Sequence, residues 1–138
     1  MTDSQNAMTS LQSLAEQTAV TPPAEDSALA LAQAIAAAAE DRKGADIRIL
    51  KVDEVSYIAD YFIIVTGFSA AQVRAISSSM LETAAVNFDR RPLRIEGQTE
   101  GSWILQDYGE VIAHVFMPDE REYYGLEAFW GHAEDVPL

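Results

Sequence analysis

The sequence predicts a single α/β domain: one mixed β-sheet of about five strands flanked by helices. Three observations carry that prediction. Segments whose apolar residues recur about once per helical turn alternate with short runs rich in β-branched and aromatic residues. One such run, Tyr61 to Thr66 (YFIIVT), is apolar on both faces, as a strand in the middle of a sheet must be. Tyr108-Gly109 then divides two strand-like segments, a two-residue spacing with glycine where a tight hairpin turn favours it. At 138 residues the chain suits one core of ordinary size.

Each element has a local reason. Met1 to Ala24 is rich in Ser, Thr, Gln and Ala, carries Thr21-Pro22-Pro23 near its end, and reads as a mobile tail before a domain over 25–138. Asp26 or Ser27 can cap a first helix, in which Leu31, Ile35 and Ala39 share a face and Gly44 supplies the terminating position. Asp46 to Val52 alternates as a strand, with Ile47, Ile49 and the stem of Lys51 opposed to Arg48, Leu50 and Val52. The buried strand from Tyr61 follows and stops at Gly67. Ser69 caps a helix over Ala70 to Asn87, whose stripe is Val73, Ile76, Met80, Leu81 and Ala84. A basic turn, Asp89-Arg90-Arg91-Pro92, leads to a short strand ending at Glu96-Gly97. Ser102 to Asp107 and Glu110 to Met117 form the hairpin. Pro118 and Asp119 open a last helix running to about Trp130. The predicted order is α-β-β-α-β-β-β-α.

Charge narrows the function. The formal net charge is −13, which opposes any nucleic-acid surface, because phosphate neutralisation needs clustered Lys and Arg. Direct DNA binding is therefore not expected, and the few arginines are too scattered for an RNA platform. From Ile95 to Leu138 there are ten acids against Arg121 alone, whereas Arg42 to Arg94 carries eight bases against six acids. Such polarity steers association with a basic protein, although a solvated acidic face has the same appearance. There is no cysteine, so disulfides and thiolate metal sites are excluded. No run approaches the roughly 18 apolar residues of a membrane span. The first 41 residues lack Lys and Arg, which counts against a signal or transit peptide and makes the cytoplasm the default.

Candidate chemistry is thin. Gly67-Phe68-Ser69, between a strand and a helix, sits where nucleotidyltransferase-type folds grip phosphate. The carboxylate pair that would hold Mg²⁺ is missing, and Arg90, Arg91 and Arg94 stand where it would follow the helix. A serine N-cap accounts for Ser69 without catalysis. His114 and His132 form no metal set and pair with no evident nucleophile, so His114 reads as a sheet histidine bonded to a neighbour. Asp53-Glu54 and Asp119-Glu120 suit turn and helix-start positions. Asp60 fits a cap of the turn after Ser56 better than a catalytic acid. No catalytic residue, cofactor or metal is expected. A nucleotidyltransferase-like nucleotide-binding enzyme is the alternative.

The richest stretch is Gly101 to Trp130, GSWILQDYGEVIAHVFMPDEREYYGLEAFW. It holds seven aromatic residues and six acids, and Arg121 is its one base. Trp103, Leu105 and Asp107 share one face of their strand, with Ile104 and Gln106 on the other. One face must pack on the core, so either Trp103 or Ile104 is buried. Trp and Tyr are common anchors of protein interfaces, and their clustering here points to a docking surface.

These residues also carry a resemblance. The runs Asp60-Tyr61-Phe62, Thr66-Gly67-x-Ser69 and Gln72-Val73-x-Ala75-Ile76 are part of it. The long block Glu100-Gly101-x-Trp103-x-Leu105-x-Asp107-Tyr108-Gly109-x-Val111-x-x-His114-x-Phe116 follows. Arg121-x-Tyr123-Tyr124-x-Leu126-Glu127-x-x-Trp130-x-x-Ala133 closes it. Over about Ser27 to Val136 the chain resembles the ribosomal silencing factor (RsfS, Iojap-like) family. The resemblance implies a degenerate nucleotidyltransferase-like fold and a non-enzymatic translation repressor. Such a protein binds ribosomal protein L fourteen on the large ribosomal subunit, blocks joining of the small subunit when nutrients are scarce, and forms a homodimer when free. Carried over by motif, the docking residues would be Trp103, Ile104, Leu105, Asp107, Tyr108 and Glu110. Two positions depart from the pattern: Ala71 stands where Arg is frequent, and Glu110 replaces the usual Asp.

Overall fold

The structure is a computed structural model that describes residues 24–53 and 58–138, with side chains from residue 27 onward. The tail and the turn after Ser56 lie outside the described residues. The elements, in chain order, are α1 (Ala24–Asp41), β1 (Ala45–Lys51), β2 (Tyr61–Thr66), α2 (Ala70–Phe88), β3 (Arg94–Glu96), β4 (Trp103–Asp107), β5 (Val111–Phe116), α3 (Pro118–Tyr124), α4 (Leu126–Phe129) and β6 (Glu134–Val136). Six strands form one open sheet in the order β3-β4-β5-β2-β1-β6. The β2–β5 pair is parallel and every other pair is antiparallel.

The mixed sheet flanked by helices is the predicted class, and the central strands explain why. Both β2 and β5 are buried along their whole length. Odd-numbered positions of these strands, Ile63 and Val65 with Val111, Ala113 and Val115, pack under α1 and α2. There they meet Leu31, Ile35, Val73, Ile76 and Met80. Even-numbered positions, Phe62, Ile64, Ile112 and Phe116, face the opposite side with Leu50 and Val52. That second side is covered by short α3, α4 and the chain around Leu126, Trp130 and Ala133, and only in part. The asymmetry of cover decides which strand faces remain available.

The expected cap of α2 is met in detail. Ser69 Oγ accepts the Gln72 N–H at 3.0 Å, and Gln72 Oε1 accepts the Phe68 N–H at 2.8 Å. This reciprocal cap occupies two donors at the start of α2 that a phosphate grip would need. Helix α1 differs from the expectation, for it begins at Ala24, two to three residues before the expected cap.

Several further expectations are corrected. Lys43, not Gly44, takes the left-handed conformation after α1 (φ 65°). The Gly44 N–H bonds the Ala39 carbonyl at 2.9 Å and the Lys43 N–H bonds that of Glu40, the paired bonds of a Schellman end. Gly44 is needed for room instead: a Cβ there would lie 2.6 Å from Val65 Cγ1. The single helix expected over Pro118 to Trp130 is broken at Gly125 (φ 58°), whose N–H caps α3 on the Arg121 carbonyl and lets α4 start in a new direction. Also not foreseen is a strand, β6, which pairs with the edge of β1 through Ile49↔Val136 and Lys51↔Glu134.

The hairpin is present with its turn shifted by one residue. Asp107 pairs with Ile112, and the Tyr108 N–H bonds the Val111 carbonyl. The two loop residues are therefore Gly109 (φ 95°) and Glu110, not Tyr108 and Gly109. A one-residue shift turns a side chain to the other face. Here it keeps Tyr108 in line with Ile104 and Gln106, pointing into the core.

Candidate functional site

The docking residues expected from the sequence divide by which face of β4 they occupy. Ile104 and Tyr108 are buried beneath α1 and α2. Their row is fixed by a closed polar network: Tyr108 Oη–H donates to Gln106 Oε1 at 2.8 Å, and Gln106 Nε2 donates to Ser77 Oγ at 2.7 Å and to the Ser77 carbonyl at 2.9 Å. Every polar end is satisfied, so the network holds the strand in register at no desolvation penalty. Ile104 and Tyr108 support the site from behind; their side chains do not reach its surface.

Glu110 is also turned inward. Arg90 holds it with two charge-assisted bonds of 2.7 and 2.9 Å and donates a third bond to the Tyr108 carbonyl at 2.8 Å. The Arg90 guanidinium keeps the Glu110 carboxyl below the usual carboxylate range, against the opposing effect of burial. The basic turn after α2 is thus a clamp on the hairpin loop. Asp107 steadies the same loop by accepting the Gly109 N–H at 2.8 Å, and its other oxygen lies 3.3 Å from Arg94 Nε.

Trp103, Leu105 and Asp107 occupy the side of β4 that the long helices leave open, each partly exposed. Trp103 is opposite Phe116 and Leu105 opposite His114. The indole lies 4.8 Å from the Phe116 ring and 4.7 Å from that of Tyr124 on α3. Its Nε1–H donates to His114 Nδ1 at 3.2 Å. Beside it, Glu96, Gly97, Trp103 and Leu105 line a shallow groove of about 220 Å³. The groove wall is tightly built: Gly97 (φ 88°) approaches so closely that a Cβ would stand 1.9 Å from the Trp103 carbonyl oxygen. Arg74 holds the loop above by donating to the carbonyls of Gln98 and Thr99.

His114 is the buried hub of this face. It stacks on Phe116, meets Phe62 edge-on, and is 5% exposed. Because Nδ1 accepts from Trp103, the ring proton sits on Nε2, which has no hydrogen-bond partner among the described residues. Burial pushes His114 down from 6.5 to about 4, so the ring is neutral when folded. The unfolded chain consequently takes up the proton first. The stability this contributes is complete above about pH 6.5 and is lost as pH falls toward 4, by on the order of 3 kcal/mol. Melting temperatures across that window should fall steeply for the native chain and less so for His114→Gln; parallel curves would contradict the assignment. Glu127, which its bonds to Arg121 hold near 2, adds its own loss only between about pH 4.5 and 2.

Arg121, the lone base of the acidic segment, is a structural tie. It forms a fork with Glu127 at 2.8 and 2.9 Å and donates to Thr66 Oγ1 at 2.7 Å. Arg48 reaches Glu127 at 2.9 Å and Asp135 at 2.9 and 3.0 Å. Together they fasten α4 to the second side of the sheet and β6 to its β1 edge. No group of three or more His, Asp or Glu that could hold a metal occurs among the described residues. No helix among them is long and apolar enough to cross a membrane.

Tyr124, Gly97 and the Arg90 clamp are site features that the sequence reading did not assign. The first was within reach: once Trp103 pairs with Phe116, a helix starting at Pro118 must pass back beside the indole.

Comparison with known proteins gives the family. The family model described as "Ribosomal silencing factor during starvation" matches residues 25–138. The chain is 43% identical over 103 residues to the ribosomal silencing factor RsfS of Bacillus subtilis, covering 75% of this chain and 84% of that one. It is 40% identical over 121 residues to the chloroplastic protein Iojap of Zea mays, covering 86% of this chain but only 52% of the maize protein. A crystal structure of a Chromobacterium violaceum protein superposes with a TM-score of 0.72 at 32% identity, over 80% of this chain and 89% of that one. A Bacillus halodurans structure gives 0.70 at 34% identity, over 80% and 99%. The Bacillus subtilis and Halalkalibacterium halodurans relatives are both named ribosomal silencing factor RsfS. With the model matching nearly all of the described sheet and helices, this chain belongs to the ribosomal silencing factor (RsfS, Iojap-like) family.

Proposed function

We infer that the chain docks through the open side of β4 onto the basic ribosomal protein L fourteen of the large ribosomal subunit. Occupying that surface blocks association with the small subunit and represses translation under nutrient limitation. The observation that carries this reading is the placement of Trp103 and Leu105. Both are large and apolar, both lie on the side of the sheet without long helices, and Asp107 stands beside them. A partly exposed Trp with a neighbouring groove is the form that interface anchors take. The strongly acidic surface supplies complementarity to a basic protein and speeds encounter. In this reading Ile104, Tyr108 and Glu110 act indirectly, by fixing the strand and its turn.

The same reading places the protein in the cytoplasm, as a homodimer when free, without cofactor or catalysis. Immobilised protein should retain purified ribosomal protein L fourteen, with affinity falling as salt rises from 50 to 300 mM on the order of the screening expected for exposed charges. Absence of retention at the lowest salt would refute it.

A further inference from the structure

The aromatic surface does not end at Trp103. Tyr124 packs on the indole at 4.7 Å, and Tyr123 meets Tyr124 edge-on at 5.1 Å. Tyr123 is 83% exposed and Tyr124 52% exposed. Two neighbouring tyrosines left this open, and continuous with a candidate docking face, are costly to leave to solvent without use. Their surroundings indicate what would cover them. On a helix, residues four apart share a face, so Asp119 stands one turn below Tyr123 and Glu120 one turn below Tyr124. No ion pair among the described residues involves Asp119, Glu120 or Glu122. Each exposed ring is thus paired with a carboxylate on its own side of α3.

A ring face beside a carboxylate is a receptor for a planar cation. Arginine stacks on aromatic rings while its fork reaches an acid, and it does both better than the compact ammonium of lysine. We propose that Tyr123 and Tyr124, with Asp119 and Glu120, form a second part of the docking surface that receives arginine side chains of the partner protein. This rests on the reading that the open side of β4 docks on a basic ribosomal protein. It adds the element, the residues and the chemistry by which the basic character is read. Trp103 joins the two parts, since its indole contacts both Phe116 of β5 and Tyr124 of α3.

The test measures binding of the full chain to isolated large ribosomal subunits. Tyr123 is largely exposed and Tyr124 gives up only its contact with the indole, so the double variant Tyr123→Ala/Tyr124→Ala should stay folded, with a melting temperature lower by only a few degrees. Its affinity should fall roughly tenfold, the scale of two partly desolvated cation–π contacts. Tyr124→Phe keeps the ring and should bind almost as well as the native chain. Glu120→Gln should weaken binding about threefold at low salt and less at high salt. Leu105→Asp serves as the separate report on β4. Loss of binding with Leu105→Asp but native affinity for the double tyrosine variant would overturn this proposal and leave the docking of β4 standing. Native affinity in both variants would overturn both.

Discussion

Replacing Trp103 with alanine is expected to weaken binding to the large subunit by about 2 kcal/mol, or roughly 30-fold in Kd. The indole is the largest apolar group on the open side of β4, and it bridges β5 and α3. Its partial burial adds a second effect that the sequence alone did not predict. Removing it strips His114 Nδ1 of its donor and leaves Phe116 and Tyr124 without their common neighbour. The fold should survive, at a cost of about 1–3 kcal/mol, less than the 3–5 kcal/mol typical of a fully buried aromatic. Trp103→Phe separates the two effects, since it keeps a ring against Phe116 and Tyr124 while losing the hydrogen bond. It should recover most of the binding and little of the His114 contact. Calorimetric melting and subunit binding measured on both variants check the division. A Trp103→Ala protein that is folded and binds normally would place the interface elsewhere.

Gly97→Ala should be the most disruptive single methyl in the chain. At φ 88° the backbone is one that L side chains rarely adopt, and the new Cβ would stand 1.9 Å from the Trp103 carbonyl oxygen. Backbone lies on both sides of that clash, so no side-chain rotation relieves it. The loop must open or β4 must move away. A loss of about 3 kcal/mol or more is expected, with a melting temperature lower by on the order of 10 °C. Because the displaced strand residue is Trp103, binding should fall even where the variant remains folded. Gly109→Ala is the control, for it carries positive φ too, yet its Cβ would meet only Leu93 at 3.7 Å. Equal damage from the two substitutions would show that backbone strain, not the clash with β4, dominates.

The parts of the fold legible in the sequence are those whose causes are local. The run YFIIVT, apolar on both faces, the Ser69 cap, and the two-residue spacing of the hairpin are set by residues within a few positions. Misread features have causes further away. Residues Glu134 to Val136 become a strand because the edge of β1 is open to them, which nothing in Glu-Asp-Val announces. The expected last helix ran through Gly125, but the ties from Arg121 and Arg48 to Glu127 fix α4 in a new direction. The hairpin turn moved by one residue because Gly109 takes the first loop position, which leaves Tyr108 free to bury its ring against Gln106.

The site was legible to the same degree. Alternation grouped Trp103, Leu105 and Asp107 against Ile104 and Gln106, but it did not say which group faced the core. That choice depends on where α1 and α2 lie, which no residue of β4 encodes by itself. Glu110 is acidic and next to the turn, as a salt-bridging docking residue would be. Only the return of Arg90 from the end of α2 shows that its charge is already used inside the molecule.

Subunit joining followed by light scattering measures directly whether the bound protein keeps the small subunit off the large one. Purified small and large ribosomal subunits would be mixed after the large subunits had been incubated with excess protein. The native chain should suppress the rise in scattering, Leu105→Asp at the same concentration should restore it, and preincubation with small subunits alone should have no effect. Full association in the presence of the native chain, at concentrations where it is bound to the large subunit, would contradict the proposed block of subunit association.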